Sequence, residues 1–347
     1  MLKKGIISAI LLIILITICR GNNEDIAENK SILILFSMQP TTPAYRSILE
    51  GIRTKLTNEL GDHYNLHIEY LETNRYPKGA YPREKFEPFN EKYRDVKLHL
   101  LICAGIDIIS TLKSFADPYL LNLPVVSTDY DFSAYGIHWD ILLNDKTTAI
   151  PLHNNLGKSL STILQLFPGA DSIYFISGNS FIDSILTAAS KQEVLKLNDK
   201  EKCKFIENLS MDEVLRKVRH LPENSLIIVP SFNTDIKRVP YYNPESVRLI
   251  SRAANAPVFI YSDMGFGDGA VGGYLMNFAK VGMITGDAAV KILKGADPAS
   301  IKYTEKDYYE YLFDWRELKR WNLADSKRIP GGSTIQFEEI TFFGKYK

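Results

Sequence analysis

Unbroken apolar runs alternate along the chain with stretches in which apolar residues recur every three or four positions. Ser31 to Ser37 (SILILFS) is one such run, closed by Gln39 and Pro40, and from Ala44 to Leu60 the positions Ile48, Ile52, Leu56 and Leu60 keep helical spacing. A short apolar run bounded by turn formers fits a buried strand, and an i, i+4 recurrence puts one apolar stripe on a helix, so the pair predicts strand, loop, helix. The pattern continues with strand His67–Glu72, helix Glu84–Tyr93, strand Leu98–Ala104 (LHLLICA), helix Ile106–Phe115 and strand Pro124–Ser127.

From Thr147 the same pattern restarts. A helix is expected over Thr148–Phe167, ending at Pro168 and Gly169, followed by strand Ser172–Ser177 and helix Phe181–Leu195. Further strands are expected at Cys203–Ile206, Ser225–Val229 and Pro257–Ser262, with helices at Met211–Leu221 and Pro244–Ala254 between them. Gly269–Met276 reads as a strand or crossover, and Lys280–Leu293 as a helix whose Gly282, Gly286, Ala288 and Ala289 allow close packing. Tyr308–Asp314 is a last strand and Trp315–Trp321 a short helix.

Strands alternating with helices build parallel sheets, and 347 residues exceed what one core usually fills. The expected class is therefore α/β, with two Rossmann-like lobes around parallel central sheets. The expected division is 31–147 with 278–297 for the N-terminal lobe and 148–277 with 298–335 for the C-terminal lobe. Residues 1–22 precede them, 336–347 form a tail, and crossovers near Leu143–Pro151, Ala270–Ala279 and Gly295–Tyr303 make a three-stranded hinge.

Lys3 and Lys4 precede the apolar run Gly5–Ile18, which has the length of a signal-peptide core and is short for a membrane span. Export, with the rest of the chain on the outer face of a membrane, is the expectation. Cys19 directly after that run is a candidate for lipidation. Ile18 departs from the small residue that normally precedes such a cleavage point, which leaves an uncleaved anchor as the alternative. Lys plus Arg equal Asp plus Glu at 41 each, so no global field draws nucleic acid or an anionic membrane.

The candidates for chemistry are few. The histidines His63, His67, His99, His138, His153 and His220 show no metal spacing, and Cys103 sits inside a strand where a nucleophile is inaccessible. Neither GxSxG nor GxxxxGK[ST] occurs, so neither an enzyme nor a cofactor is expected, an exported enzyme on this fold being a distant alternative.

Binding is a better use of such a fold, because ligands of open α/β sheets sit beyond the carboxyl ends of strands. The first strand ends in Ser37, Gln39, Thr42 and Tyr45, which form either part of a cleft wall or a plain loop and helix cap. The third ends in Gly105 and Ile106, a turn that lets backbone approach a ligand or simply supplies an unusual dihedral. The fourth ends in Asp129, Tyr130 and Asp131, carboxylates beside an aromatic that could hold an ammonium or merely solvate the hinge. In the second series Gly178 and Asn179 form a small polar turn able to donate N–H groups to a carboxylate, or an N-cap. Pro230, Ser231, Phe232 and Asn233 close the next strand, and Asp263, Met264 and Phe266 the last.

Four stretches, in this order and spacing, carry a resemblance: SILILFSMQPTTPAYRSILEGI, LHLLICAGIDI, SDMGFGDGAVGGYLMNFAKVGMITGDAAVKILKG and YLFDWRELKRWNLADSKRIPGGSTI. Together they resemble the substrate-binding proteins of an ABC transporter family with the type I periplasmic-binding fold, over nearly everything from Ser31 to Ile335. The resemblance implies a clamshell that closes on a small organic solute and hands it to a membrane permease, a solute with an amine and a carboxylate being one expectation. It also implies a cleft role for Asp263. The tail RIPGGSTIQFEEITFFGKYK is similar to the outward-facing sensor portion of some bacterial histidine kinases, so a kinase is the alternative partner.

Overall fold

The computed structural model describes residues 29–76, 80–131, 133, 141–324 and 327–338. The expected leader and its Cys19 lie outside the described residues, as does the end of the tail. No described helix is long and apolar enough to cross a membrane.

The first sheet is wholly parallel. It contains β1 (Lys30–Phe36), β2 (Tyr64–Tyr70), β3 (Leu100–Ala104), β4 (Val125–Asp131) and β5 (Thr147–His153), in the order β2-β1-β3-β4-β5. Helices α1 (Pro43–Leu60), α2 (Arg83–Tyr93), α3 (Ile108–Phe115) and α4 (Pro118–Leu121) connect its first four strands. Successive side chains of β1 point to opposite faces, as strand geometry requires. Ile32, Ile34 and Phe36 join one apolar cluster and Leu33 and Leu35 another. Both faces are covered, which is why the sequence shows a continuous apolar run instead of an alternating one.

The second sheet repeats the arrangement with β6 (Ser172–Ile176), β7 (Cys203–Ile206), β8 (Ser225–Val229) and β9 (Val258–Ile260), again parallel, in the order β7-β6-β8-β9. Its helices are α5 (Leu156–Leu166), α6 (Phe181–Leu195), α7 (Met211–Val218) and α8 (Asn243–Ala253). The central β8 splits in the same way, with Ile227 and Val229 in one cluster and Leu226 and Ile228 in the other.

One sequence expectation is corrected. Thr148–Phe167 is not a single helix: Thr147–His153 is β5, paired along its length with β4, and the helix begins at Leu156. The segment TTAIPLH opens on two β-branched threonines and contains Pro151, which disfavours helix interior and suits an edge strand. The chain therefore leaves the first sheet after His153, later than the expected crossover.

The chain then returns. β10 (Gly272–Met276) runs beside β9, with Val271 N–H donating to the Val258 carbonyl, and pairs antiparallel with β11 (Tyr309–Asp314), which pairs with β12 (Thr334–Gln336). Between β10 and β11, α9 (Phe278–Leu293) packs on α1 of the first lobe at very short range. A Cβ on Gly282 would collide with the Ile48 carbonyl, and one on Gly51 with the Ala279 carbonyl. Small residues let the two backbones meet, as the sequence anticipated for Gly282 and Gly286. Lys55–Asp287 (3.0 Å) and Lys294–Glu59 (2.8 Å) add ion pairs across the same contact.

Polar ties knit the passages between lobes. His153 N–H donates to the Tyr308 hydroxyl (3.1 Å), Asn155 N–H to the Tyr309 hydroxyl (3.0 Å), and Asn155 Nδ2 to Glu305 Oε2 (2.7 Å).

Candidate functional site

Each sheet has one switch point, where successive crossovers go to opposite sides and the strand ends diverge to leave a crevice. In the first sheet it falls between β1 and β3, whose ends are Ser37 and Gly105; in the second it falls between β6 and β8, whose ends carry Gly178 and Ser231. The two crevices are built differently.

At the first, Ser37 Oγ and the Tyr45 hydroxyl share a 2.6 Å hydrogen bond. Gly105 has φ +110°, and any Cβ there would collide with both of those oxygens, so glycine is required twice over. Burial raises the Tyr45 hydroxyl well above the ordinary tyrosine range, with the Asp129 carboxyl adding to the effect. Ile106 offers its carbonyl to Thr73 Oγ1 at 2.8 Å. Asp129, 5% exposed, accepts the Tyr130 N–H on Oδ1 at 2.7 Å. Burial pushes its carboxyl up to about 7, and the neighbouring charge that acts on it, Asp107, adds to the rise. Ser37, Tyr45, Gly105, Asp129 and Tyr130 are thus brought together. Gln39 and Thr42 lie outward of them: Gln39 Oε1 accepts from Arg75 Nη2 at 3.4 Å, and Thr42 precedes α1 without a side-chain capping bond.

At the second crevice a carboxylate from the protein itself fills the centre. Asp183, fully buried in the first turn of α6, accepts from Ser180 N–H (2.9 Å), Ser231 Oγ (2.6 Å), Asn233 N–H (3.0 Å), Asn233 Nδ2 (2.9 Å) and Thr234 N–H (3.3 Å). Gly178 is required here because a Cβ would collide with the Asp183 carboxylate. Asn179 N–H donates to the Thr234 carbonyl and its Nδ2 to Asn208 Oδ1, both at 2.6 Å. The N–H groups expected to meet a ligand are mostly committed internally.

A cavity of about 60 Å³ lies where the two lobes meet. Tyr130 contributes from β4 and Asn154 from the first passage. Ile182 and Leu186 come from α6, with Pro230, Ser231 and Asn233 after β8 and Asn243 at the start of α8. Tyr261, Ser262 and Met264 follow β9, and Met276 and Tyr309 belong to β10 and β11. Of the sequence candidates, Tyr130 and Ser231 line it directly. Asp129 and Asp263 each stand one residue from a lining position. Asp263 Oδ2 accepts the Phe278 N–H at 3.1 Å and so caps α9, while burial pushes its carboxyl up to about 7, with Glu310 adding to the rise.

Two aromatic candidates lie elsewhere. Phe232 is wholly buried in the second lobe's core beside Tyr241. Phe266, half-buried, packs against the second lobe's core and on Phe337.

Sequence reasoning missed Asn154 and Tyr309, because both sit on passages between lobes and a rule about strand ends does not sample them. Asn154 Nδ2 is buried beside the cavity with no hydrogen-bond partner among the described residues. Among the described residues no group of three or more His, Cys, Asp or Glu could hold a metal ion.

No protein-family model matches the sequence and no curated protein is similar to it. Solved structures are similar in fold. A ligand-free, open substrate-binding protein with adhesive properties from Clostridium difficile is 17% identical, with a TM-score of 0.61, over 88% of this chain and 98% of its own. A conserved domain protein from Vibrio cholerae is 14% identical at TM-score 0.58, over 89% and 99% of the two chains. An ABC domain from Streptococcus pneumonia in complex with L-Trp is 16% identical at TM-score 0.56, over 85% and 95%. The chain has the type I periplasmic-binding fold. The cavity is lined from both parallel sheets, by Tyr130 of β4 in the first and Ser231 after β8 in the second, and by Tyr309 of β11.

Proposed function

We propose that this chain binds a small organic solute in the cleft between its lobes, closes on it by hinge motion, and delivers it to an ABC importer on the outer face of a membrane. The lobes of this reading are 31–153 with 278–297 and 154–277 with 298–335, the first boundary moved past β5 from the 147/148 expected of the sequence. The observation that carries it is the cavity at the junction, lined from both lobes and from the passages that join them. Two of the similar structures support the reading: one is named a substrate-binding protein and the other holds L-Trp. Neither Cys103 nor Cys203 lines the cavity. Burial raises the Cys103 thiol far above its usual range and lifts Cys203 to about 11, with Glu201 adding to the latter.

A thermal-shift screen across amino acids, nucleosides, sugars and simple amines tests the binding step. One chemical class should raise the melting temperature, since a ligand at 100 times its Kd adds about 2.7 kcal/mol to stability. A screen flat across all four classes would count against solute capture.

A sensor role is the second reading. The tail that resembles kinase-linked modules carries β12, which pairs with β11, and that pairing supports a tail coupled to the body of the protein. Permease and ATPase genes beside this one support import, and a kinase gene supports sensing.

A further inference from the structure

The solute-binding reading leaves the class of solute open, and the wall of the cavity narrows it. Among the described residues that line it there is no Asp, Glu, Lys, Arg or His. Its polar side chains are all tyrosine hydroxyls, asparagine amides and serine hydroxyls, and Ile182, Leu186, Met264 and Met276 supply much of the rest. A charged group moved from water against such a wall loses its hydration and finds no opposite charge in exchange. A hydroxyl or an amide needs only a hydrogen-bond partner.

The second lobe's part of the wall has spent its hydrogens. Ser231 Oγ donates to Asp183 Oδ1 (2.6 Å), and Asn233 Nδ2 donates both to Asp183 Oδ1 (2.9 Å) and to Ser231 Oγ (2.7 Å). What these two side chains keep for a solute is oxygen lone pairs, which accept from hydroxyl or N–H groups. A ligand carboxylate would find those donors committed and would meet Asp183 behind them as a like charge. The passage between lobes offers the complement. Asn154 Nδ2 is buried, with no hydrogen-bond partner among the described residues. A buried amide left without a partner is costly, and an oxygen of a solute would satisfy it.

Resting on the solute-binding reading, we infer that the cleft takes an uncharged solute bearing hydroxyl or N–H groups, the chemistry that sugars and nucleosides share. An oxygen of the solute accepts from Asn154 Nδ2, and its hydroxyl or N–H groups donate to Ser231 and Asn233. Its apolar face lies against Ile182, Leu186 and Met276. The amino-acid solute that the family resemblance implies does not suit this wall, because neither its ammonium nor its carboxylate meets a counter-charge among the described lining residues.

Calorimetric titration of the full chain tests this with a panel of neutral hexoses, pentoses, cyclic polyols and nucleosides, the two arms separating sugar from nucleoside as the source. Each binder is then titrated beside its charged analogue, a 2-amino sugar or a uronate for a sugar and a 5′-monophosphate for a nucleoside. The expected result is that at least one uncharged compound binds and that its charged analogue binds about thirtyfold more weakly or not at all. Asn154→Ala should weaken that compound about tenfold without lowering the melting temperature of the empty protein, since Nδ2 has no bond to lose; a merely structural Asn154 would lower both. The inference is overturned if the charged analogue binds as tightly as its parent, if Asn154→Ala leaves the affinity unchanged or lowers it together with the melting temperature, or if no uncharged compound binds. In that last case an amino acid or amine that raises the melting temperature leaves solute capture standing, and a screen flat across all classes removes both.

Discussion

Asp129 and Asp183 are both aspartates buried beside a strand end, one in each lobe, and they differ in what surrounds them. Asp183 is ringed by five donors and is shielded from solvent, so its carboxylate holds the second lobe's crevice together. Asp129 has its neighbour's N–H and an acidic environment, and burial lifts it to about 7. A buried carboxylate ringed by donors is architecture in itself, whereas one that burial lifts and fewer donors meet is held in place by the rest of the fold.

The sharpest way to break this comparison is Asp183→Ala. Five donors lose their acceptor in a buried site, so the unfolding free energy should fall by about 3 kcal/mol or more in urea titrations. A loss below ~1 kcal/mol would mean that Asp183 is not the centre of its crevice. Next comes Gly105→Ala. The residue has φ +110° and its new methyl collides with Tyr45 and Ser37, for a cost of about 2 kcal/mol.

Asp129→Asn should act in the opposite direction. With its folded value raised from 3.8 to about 7, Asp129 keeps in the folded state a proton that the unfolded chain releases. Its contribution to stability is fully present below pH 3.8 and is lost as the pH rises through 7. The variant should therefore melt about 3 °C above the parent at pH 8, with a shallower decline of melting temperature between those two values. A lower melting temperature at pH 8 would show that the carboxyl is compensated after all. The smallest effect is expected for Tyr45→Phe, which removes the 2.6 Å bond to Ser37 and should cost about 1 kcal/mol in the same urea assay.

The strands were legible because burial on both faces leaves an unmistakable apolar run: SILILF, LLICA and SLIIV appear in the structure within one or two residues of their expected limits. Thr147–His153 was not legible, because an edge strand of mixed polarity next to a helix lacks that run. The N–H groups near Gly178 were visible as a polar turn. The pairing Ser180–Asp183 is a capping pattern that sequence can show, yet the reach of Asp183 to Ser231 and Asn233 spans about fifty residues and exists only once β6 and β8 are adjacent. For the same reason Tyr130 and Ser231 could be found from strand ends, and Asn154 and Tyr309 could not.

Closure of the two lobes on a solute is the claim on which the rest depends, and small-angle scattering addresses it most directly. The full chain would be measured empty and then saturated with the compound that gives the largest thermal shift. Lobes that hinge at the passages near His153, Asn277 and Tyr308 predict a smaller radius of gyration in the saturated sample. An unchanged radius at saturation, with binding confirmed by calorimetry, would contradict the account.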